Sequence, residues 1–175
     1  FLTSFIVYLS TMAQTTSFWD CGEFIACAFT MGIPHPPGSP LYLLVGRIFS
    51  MIPTEQIAAL FMSGDVADFV MPFGYEIGWR VNLMSPLLSA FSAMFTFLII
   101  VRFLEMWQGK AQDTEQRVIH YASGVVGALA FAFSDSQWFN SVEAEVYAAS
   151  LFFTAIVVWL ILRGADQQHR PDSDK

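Results

Sequence analysis

Long runs of apolar residues divide this chain into segments separated by more polar sequence. The longest run is 81–103, VNLMSPLLSAFSAMFTFLIIVRF, and two others follow at 118–133 and 146–162. A helix needs about 20 mostly apolar residues to cross the hydrocarbon core of a bilayer. The pattern therefore predicts three spanning helices, and the apolar start of the chain at 1–12 predicts a fourth.

One further apolar run, Leu41–Ile52, is too short to span a bilayer comfortably. It contains Arg47, and prolines stand on both sides of it. Short amphipathic segments of this kind lie in the membrane interface or enter and leave the membrane on one side. We therefore expect an interfacial or re-entrant helix here. If it crossed the membrane instead, the orientation of every later segment would invert.

The positions of Lys and Arg predict which loops face the cytoplasm. Of the eight Lys and Arg residues, only two lie in the long segment 13–80, whereas three lie in the much shorter segment 102–117. Positive charge marks the cytoplasmic side of a membrane protein. The chain terminus before the first span and the 104–117 loop are therefore predicted to be cytoplasmic. Loops 13–80 and 134–145 are predicted to lie outside.

Composition agrees with a membrane protein. Of the 175 residues, 55% are hydrophobic and 13% are charged, and the mean hydropathy is +0.52. Soluble domains carry about 25% charged residues. The net charge of −7 argues against a nucleic-acid partner, which needs a basic face. We expect an all-α, polytopic helix bundle over 1–163, a polar cytoplasmic segment at 164–175, and an origin as the N-terminal part of a longer protein.

The acidic residues of interest stand in the two predicted external loops, each directly before an apolar helix. The first loop holds Asp20 and Glu23, and the second holds Glu143 and Glu145. Ionisable groups at the edge of the hydrocarbon are costly and suggest a functional site. Asp20 and Glu23 are three residues apart and share one face if the segment is helical. Asp20 could also cap that helix, with Glu23 at the third helical position, and the two interpretations are compatible because a capping carboxylate can still accept a proton.

Prolines surround the candidate histidine. His35 follows Pro34 and precedes Pro36 and Pro37, and such a loop has a restricted backbone. It either holds the His35 side chain in place or simply reverses the chain. In the second loop, Glu143 and Glu145 would point to different helix faces, so at most one is expected to face a site with Tyr147.

These residues suit one class of reaction. A carboxylate can remove the proton of a hydroxyl group as that hydroxyl attacks an electrophile. A lipid-phosphate leaving group would lie in the headgroup plane, where Arg80 could bind the phosphate with two hydrogen bonds. A cationic side chain can carry the charge of one phosphate, so we expect neither a metal nor a cofactor. A transporter would place its acids within the spans, and here the spans are nearly free of acids.

Three strings carry a family resemblance. They are FWDCGEFIACAFTMGIPHPPGSPLYLLVGRIFSMIP, WRVNLMS and WFNSVEAEVYAASLFFTAIVVWLIL, and in this order they cover nearly the whole chain. They resemble the bacterial membrane-protein family called domain of unknown function 2723. That family is similar to a eukaryotic transmembrane protein O-mannosyltransferase. Both are considered GT-C glycosyltransferases, which have many membrane helices and an acidic motif in the first external loop.

The resemblance implies a glycosyltransferase of a bacterial inner membrane with its active face outside the cytoplasm. The donor would be a polyprenyl-phosphate sugar, with mannose expected, and the acceptor a Ser or Thr of an exported protein. Asp20 would be the first candidate for the catalytic base and Glu23 the second. The substrate-binding residues would be His35, Arg80, Glu143, Glu145 and Tyr147.

The segment Thr54–Gly78 looks like an insertion relative to shorter members of that family, which leaves the position of Arg80 open. Complete members carry further helices, so this chain alone is expected to be inactive. The alternative is a non-enzymatic membrane component of an export or assembly system. The enzyme hypothesis predicts that Asp20, Glu23 and His35 converge on one external pocket. The alternative predicts that they are scattered, or satisfied by helix caps and loop contacts.

Overall fold

The structure is a computed structural model that describes residues 1–66, 74 and 76–168. The described residues form helices and contain no strand. The helices are α1 (Leu2–Thr11), α2 (Cys21–Thr30), α3 (Pro40–Ser50), α4 (Thr54–Phe61), α5 (Ile77–Asn82), α6 (Met84–Gln108), α7 (Thr114–Ala132), α8 (Asp135–Ser141) and α9 (Val146–Gln168).

Two helical stretches among the described residues are long and apolar enough to cross a membrane. They are Ile77–Gln108, which joins α5 and α6, and Val146–Ala165 in α9. Two bent pairs of helices are also long and apolar enough when each pair is counted as one span: α3 with α4, bent by 47°, and α7 with α8, bent by 67°. The described residues therefore contain two to four candidate spans. The prediction of an all-α, polytopic membrane helix bundle is confirmed.

The individual membrane boundaries and the sidedness of the loops stay predictions. The helix α1 has 10 residues and is shorter than a span by itself, although it coincides with the predicted first segment. The helix α3 bends into α4, and this geometry fits either a broken span or a re-entrant segment. Parts of two predicted segments, 67–73 and 75 in the expected insertion and 169–175 in the polar tail, lie outside the described residues.

The long helix α6 forms the centre of the bundle and contacts α1, α7, α8 and α9. Its buried face is built from small residues, including Ser85, Ser89 and Ala90, all fully buried. Small side chains let membrane helices approach closely, which favours van der Waals packing in lipid. On α7, a Cβ added at Gly124 would lie 2.8 Å from the Phe97 ring, so glycine is required for this close approach.

The helices α2 and α3 lie side by side and run in the same direction. The rings of Phe24 and Tyr42 lie 5.4 Å apart near their starts, and the Arg47 guanidinium donates to the Phe29 carbonyl near their ends. Parallel neighbours need a connection that returns along them. Met31 ends α2 in the left-handed conformation (φ 57°), and residues 32–39 run back toward the start of α2. This return brings His35 beside the first turn of α2.

The contact between α2 and α3 can be tested at Gly46, where an added Cβ would lie 2.9 Å from the Cβ of fully buried Ala28. Neither atom belongs to a flexible side-chain end, so the helices would have to separate. We expect Gly46→Leu to lower the free energy of unfolding by about 1–3 kcal/mol, measured by thermal unfolding. Gly164→Leu is the matched control, because nothing lies within 4 Å of a Cβ at that helical glycine. Equal stability of the two variants would contradict the packing described.

Candidate active site

Asp20, Glu23 and His35 form one cluster at the start of α2. Each offers a carboxylate or imidazole atom, and these atoms lie within 4.8 Å of one another. The Glu23 carboxylate accepts from the backbone N–H of His35 at 2.9 Å and from its Nδ1 at 2.7 Å. The Nε2 of His35 lies 3.8 Å from Oδ2 of Asp20. The side chains are 39–53% exposed, so the cluster is open to solvent or substrate. We refer to these three residues as the acid–histidine cluster.

The helix-capping interpretation of Asp20 does not hold. Asp20 occupies the N-cap position of α2, but its side chain makes no cap hydrogen bond, and Glu23 turns to His35 instead of completing a capping box. Trp19, directly before it, has a left-handed backbone (φ 63°), which is uncommon for a bulky residue and is found where the surrounding structure enforces it. The Asp20 carboxylate is therefore presented outward and not used to hold the helix.

Glu23 and His35 shift each other's pKa in opposite directions. The hydrogen bond from His35 lowers the pKa of the Glu23 carboxyl, and the same bond raises the pKa of the His35 imidazole. The carboxylate only accepts, so Nδ1 carries the hydrogen of this bond. The contact contributes to folding stability while Glu23 is ionised and His35 is protonated. It is therefore lost as the pH rises through the raised pKa of His35, and also as the pH falls through the lowered pKa of Glu23.

The second predicted loop supplies two buried carboxyl groups. Glu143 and Glu145 are 4% and 7% exposed. One carboxylate oxygen of Glu143 accepts from the Ser17 hydroxyl, while its other oxygen is buried without a partner. Burial raises the pKa of the Glu145 carboxyl, and the negative charges of Glu143 and Asp20 raise it further. Since Asp20 and His35 both act on Glu145 electrostatically, this residue belongs to the surroundings of the acid–histidine cluster.

Asn82 is a site residue that the sequence analysis missed. It is fully buried at the end of α5, and its amide nitrogen donates to the carbonyls of Ala13 at 2.8 Å and Thr15 at 2.9 Å. Its carbonyl oxygen faces the thiol of Cys21 at 3.6 Å. These contacts fix the segment that leads into Asp20. The only sequence signal was an uncharged amide at the head of an apolar span, where a polar group has to find partners.

The segment before Asp20 is also tied to the loop that carries the two buried glutamates. The backbone N–H of Ala13 donates to the Val142 carbonyl at 2.7 Å, and the Ser17 hydroxyl donates to Glu143. Two predicted external loops are thereby joined next to the cluster. Glu143 thus helps to position the segment before Asp20, and Glu145 acts on the acid–histidine cluster through its charge.

Arg80 and Tyr147 are not brought into the cluster. Nη1 of Arg80 donates to the Ile52 carbonyl at 3.0 Å. Ile52 follows the last residue of α3, whereas His35 precedes the first. The Nε of Arg80 is buried without a partner. Tyr147, 57% exposed, lines a largely apolar groove of about 390 Å³ between α3 and α9. The wall of this groove includes Ser39, four residues after His35, and Val146, the residue after Glu145. The groove therefore lies close in sequence to both site residues.

The acid–histidine cluster also has the composition of a possible metal site. Two carboxylates and one imidazole within 4.8 Å can bind a divalent cation such as Zn²⁺ or Mn²⁺. The sequence predicts that no metal is needed, and this stays a prediction that can be tested by adding EDTA.

The pairing of Glu23 with His35 predicts a measurable change in histidine titration. In Glu23→Gln the imidazole loses its charged partner, so the pKa of His35 should fall toward its ordinary value of 6.5. The measurement is NMR of ¹³C-labelled histidine across the pH range. Glu55→Gln on α4 is the control and should leave the titration unchanged. If His35 titrates identically in Glu23→Gln and in the unchanged protein, the pairing is not present in solution.

The role of Asn82 predicts a loss of stability. Asn82→Ala removes the donor of two hydrogen bonds, to the carbonyls of Ala13 and Thr15, which should lower the free energy of unfolding by about 1–3 kcal/mol. Thermal unfolding measures the effect. Asn140→Ala is the matched control, because Asn140 donates only to Ser136 within its own helix. A cost no larger than that of the control would show that Asn82 does not fix this segment.

One protein family and two known proteins match most of this chain. The family described as "Protein O-mannosyl-transferase TMEM260 N-terminal domain" matches residues 20–62 and 58–175. Protein O-mannosyl-transferase tmem260 of Dictyostelium discoideum is 26% identical over 161 residues, which are 91% of this chain and 16% of that protein. Protein O-mannosyl-transferase TMEM260 of Mus musculus is 28% identical over 157 residues, 90% of this chain and 18% of that protein. No solved structure matches.

The matched residues include Asp20, Glu23 and His35 in the first range and both buried glutamates in the second. The chain spans less than a fifth of the length of these relatives. The resemblance to a transmembrane protein O-mannosyltransferase is confirmed at the level of this family. The chain belongs to the protein O-mannosyl-transferase TMEM260 N-terminal domain family.

Proposed function

We propose that the protein carrying this chain is a membrane glycosyltransferase of the GT-C class. It transfers mannose from a polyprenyl-phosphate donor to the hydroxyl group of a Ser or Thr in an exported protein. The observation that carries the proposal is the convergence of Asp20, Glu23 and His35 at the start of α2, in a chain of this family. The names of the relatives support the transfer of mannose to protein.

The reaction is a single displacement with inversion. The acceptor oxygen attacks the anomeric carbon, the bond from that carbon to the donor phosphate oxygen breaks, and the lipid phosphate leaves with the electron pair. A carboxylate takes the proton of the hydroxyl group. Asp20 fits this role better than Glu23. The Asp20 side chain is 53% exposed and accepts no hydrogen bond at the helix start. Glu23 is held by two bonds to His35, which lower its pKa and weaken it as a base.

The remaining residues have supporting roles in the proposal. Glu23 orients His35, and the protonated imidazole, 3.8 Å from the Asp20 carboxylate, can bind the donor phosphate. Glu145 faces the cluster with a raised pKa and can donate a hydrogen bond to the sugar when protonated. The groove lined by Tyr147 offers an apolar wall for the donor lipid. Arg80 remains a candidate phosphate ligand only if its guanidinium leaves the Ile52 carbonyl.

The setting of the enzyme is part of the same proposal. We place it in the inner membrane of a bacterium, as a member of the domain of unknown function 2723 group, with the cluster outside the cytoplasm. Because the chain covers 16–18% of its relatives, the rest of the protein is needed for activity. The chemistry requires no metal or cofactor, because one leaving phosphate can be balanced by a cationic side chain.

The test uses the full-length protein in proteoliposomes with radiolabelled polyprenyl-phosphate mannose and an extract of exported proteins. Asp20→Asn keeps the size of the side chain but cannot accept the proton, so transfer should fall by about 10²–10⁴-fold. Asp135→Asn on α8 is the matched control and should transfer normally. Addition of EDTA should leave transfer unchanged.

The outcomes separate the parts of the proposal. Transfer by Asp20→Asn at the level of the control would move the base to Glu23. Loss of transfer in EDTA, restored by a divalent cation, would assign a metal to the acid–histidine cluster. Absence of transfer to any acceptor by the unchanged protein would contradict the enzyme and favour a non-enzymatic membrane component.

A further inference from the structure

A second pocket lies at the opposite end of the bundle from the acid–histidine cluster. It has a volume of about 310 Å³ and is lined by Glu105, Lys110, Ala111, Arg117, His120 and Tyr121. The pocket stands where α6 ends and α7 begins. The helix α6 has 25 residues and starts near Asn82, so at about 1.5 Å per residue its two ends are about 37 Å apart. Such a distance corresponds to the two faces of a bilayer.

The charges of this pocket leave its cations available. Glu105 pairs with Arg102 at 3.0 Å, and the carboxylate of Asp113 accepts from the backbone N–H of Gln116 as the cap of α7. By contrast, Lys110 and Arg117 are exposed and make no ion pair with any residue in the described part of the chain. Glu105, the acidic residue in the pocket wall, is thus paired, and both cations are exposed.

The pocket has a fixed inner wall. His120 is 3% exposed, and its Nε2 contacts Oε1 of Gln108 at 3.3 Å. The turn between the helices is closed by the backbone N–H of Gln112, which donates to the side chain of Gln116 at 3.0 Å. Lys110 lies within this turn and Arg117 in the first turn of α7. The two cations therefore project from a defined loop and helix.

An apolar path continues from the pocket along α7. Val118, Tyr121 and Val125, spaced by three and four residues, are 60%, 50% and 46% exposed and share one side of the helix. On α6, Trp107 is 85% exposed at the same level as the pocket. Exposed apolar side chains that follow a helix in this way suit the acyl chains of a lipid, and exposed Trp is typical of the membrane interface.

We propose that this pocket binds the headgroup of an anionic membrane lipid. Lys110 and Arg117 meet the phosphate of the headgroup, and the acyl chains lie against the Val118, Tyr121 and Val125 side of α7. Basic pockets between spanning helices are suited to anionic headgroups, because lipid phosphate and Lys or Arg attract each other at the membrane surface. The apolar path favours a lipid over free phosphate, which would gain nothing from it. The site is separate from the acid–histidine cluster and does not depend on glycosyl transfer.

The test is thermal unfolding of the full-length protein in detergent micelles with four additions. These are dioctanoyl phosphatidylglycerol, dioctanoyl phosphatidylcholine, inorganic phosphate, and buffer alone. At about a thousand times its Kd, a lipid that binds the folded state should raise the Tm by roughly 2 °C for a protein as long as the relatives. We expect this rise with phosphatidylglycerol alone, and we expect it to shrink at high salt because the headgroup is bound through charge.

Variants locate the site. The double variant Lys110→Gln with Arg117→Gln should lose the rise in Tm. Arg163→Gln, at the end of α9 where Arg163 stacks on Trp159, is the matched control and should keep it. If the double variant does not fold, Lys110→Gln alone should reduce the rise, since Lys110 lies in a loop. An equal rise with phosphatidylcholine, an equal rise with inorganic phosphate, a rise kept in the variants, or no rise in the unchanged protein would each overturn the proposal.

Discussion

The hydrogen bonds of one buried amide hold the candidate site together. Asn82 stands at the junction of α5 and α6, inside the longest apolar helical stretch of the described chain. Its side chain donates to two carbonyls of the segment between α1 and α2. Leaving a buried amide without hydrogen-bond partners would cost several kcal/mol of folding free energy. These two hydrogen bonds therefore keep the segment before Asp20 next to Asn82. The position of Asp20 therefore depends on a helix 60 residues later in the chain.

Electrostatics explains why the acids of this region differ from one another. Glu23 has a cationic partner in His35 and is easily ionised. Glu145 is buried, and the negative charges of Glu143 and Asp20 make the ionisation of Glu145 more costly. Asp20 is exposed and accepts no hydrogen bond at the start of α2. Carboxyl groups with different environments can accept and donate protons at the same pH, and acid–base catalysis needs this combination.

The two ends of the bundle have opposite character. At the start of α6, the chain gathers carboxylates and one histidine, and the neighbouring groove between α3 and α9 is apolar. At the end of α6, Lys110 and Arg117 surround a pocket next to an exposed apolar side of α7. Both arrangements place charge near an end of α6, the long helix of a candidate span. At the end of a spanning helix a charged group can keep contact with water and also meet a lipid headgroup.

The sequence by itself determined the class of fold, because the length and hydropathy of a membrane helix are local properties of the chain. It also identified Asp20, Glu23 and His35 as candidates, because acids at the edge of an apolar helix stand out. It left open whether Asp20 caps α2, since a cap and a free carboxylate have the same sequence pattern. Only the tertiary structure decided this, by returning residues 32–39 along α2 so that Glu23 binds His35. Likewise, no local pattern encodes the roles of Asn82 and Ser17 or the direction of the Arg80 side chain, because they depend on contacts between residues far apart in the chain.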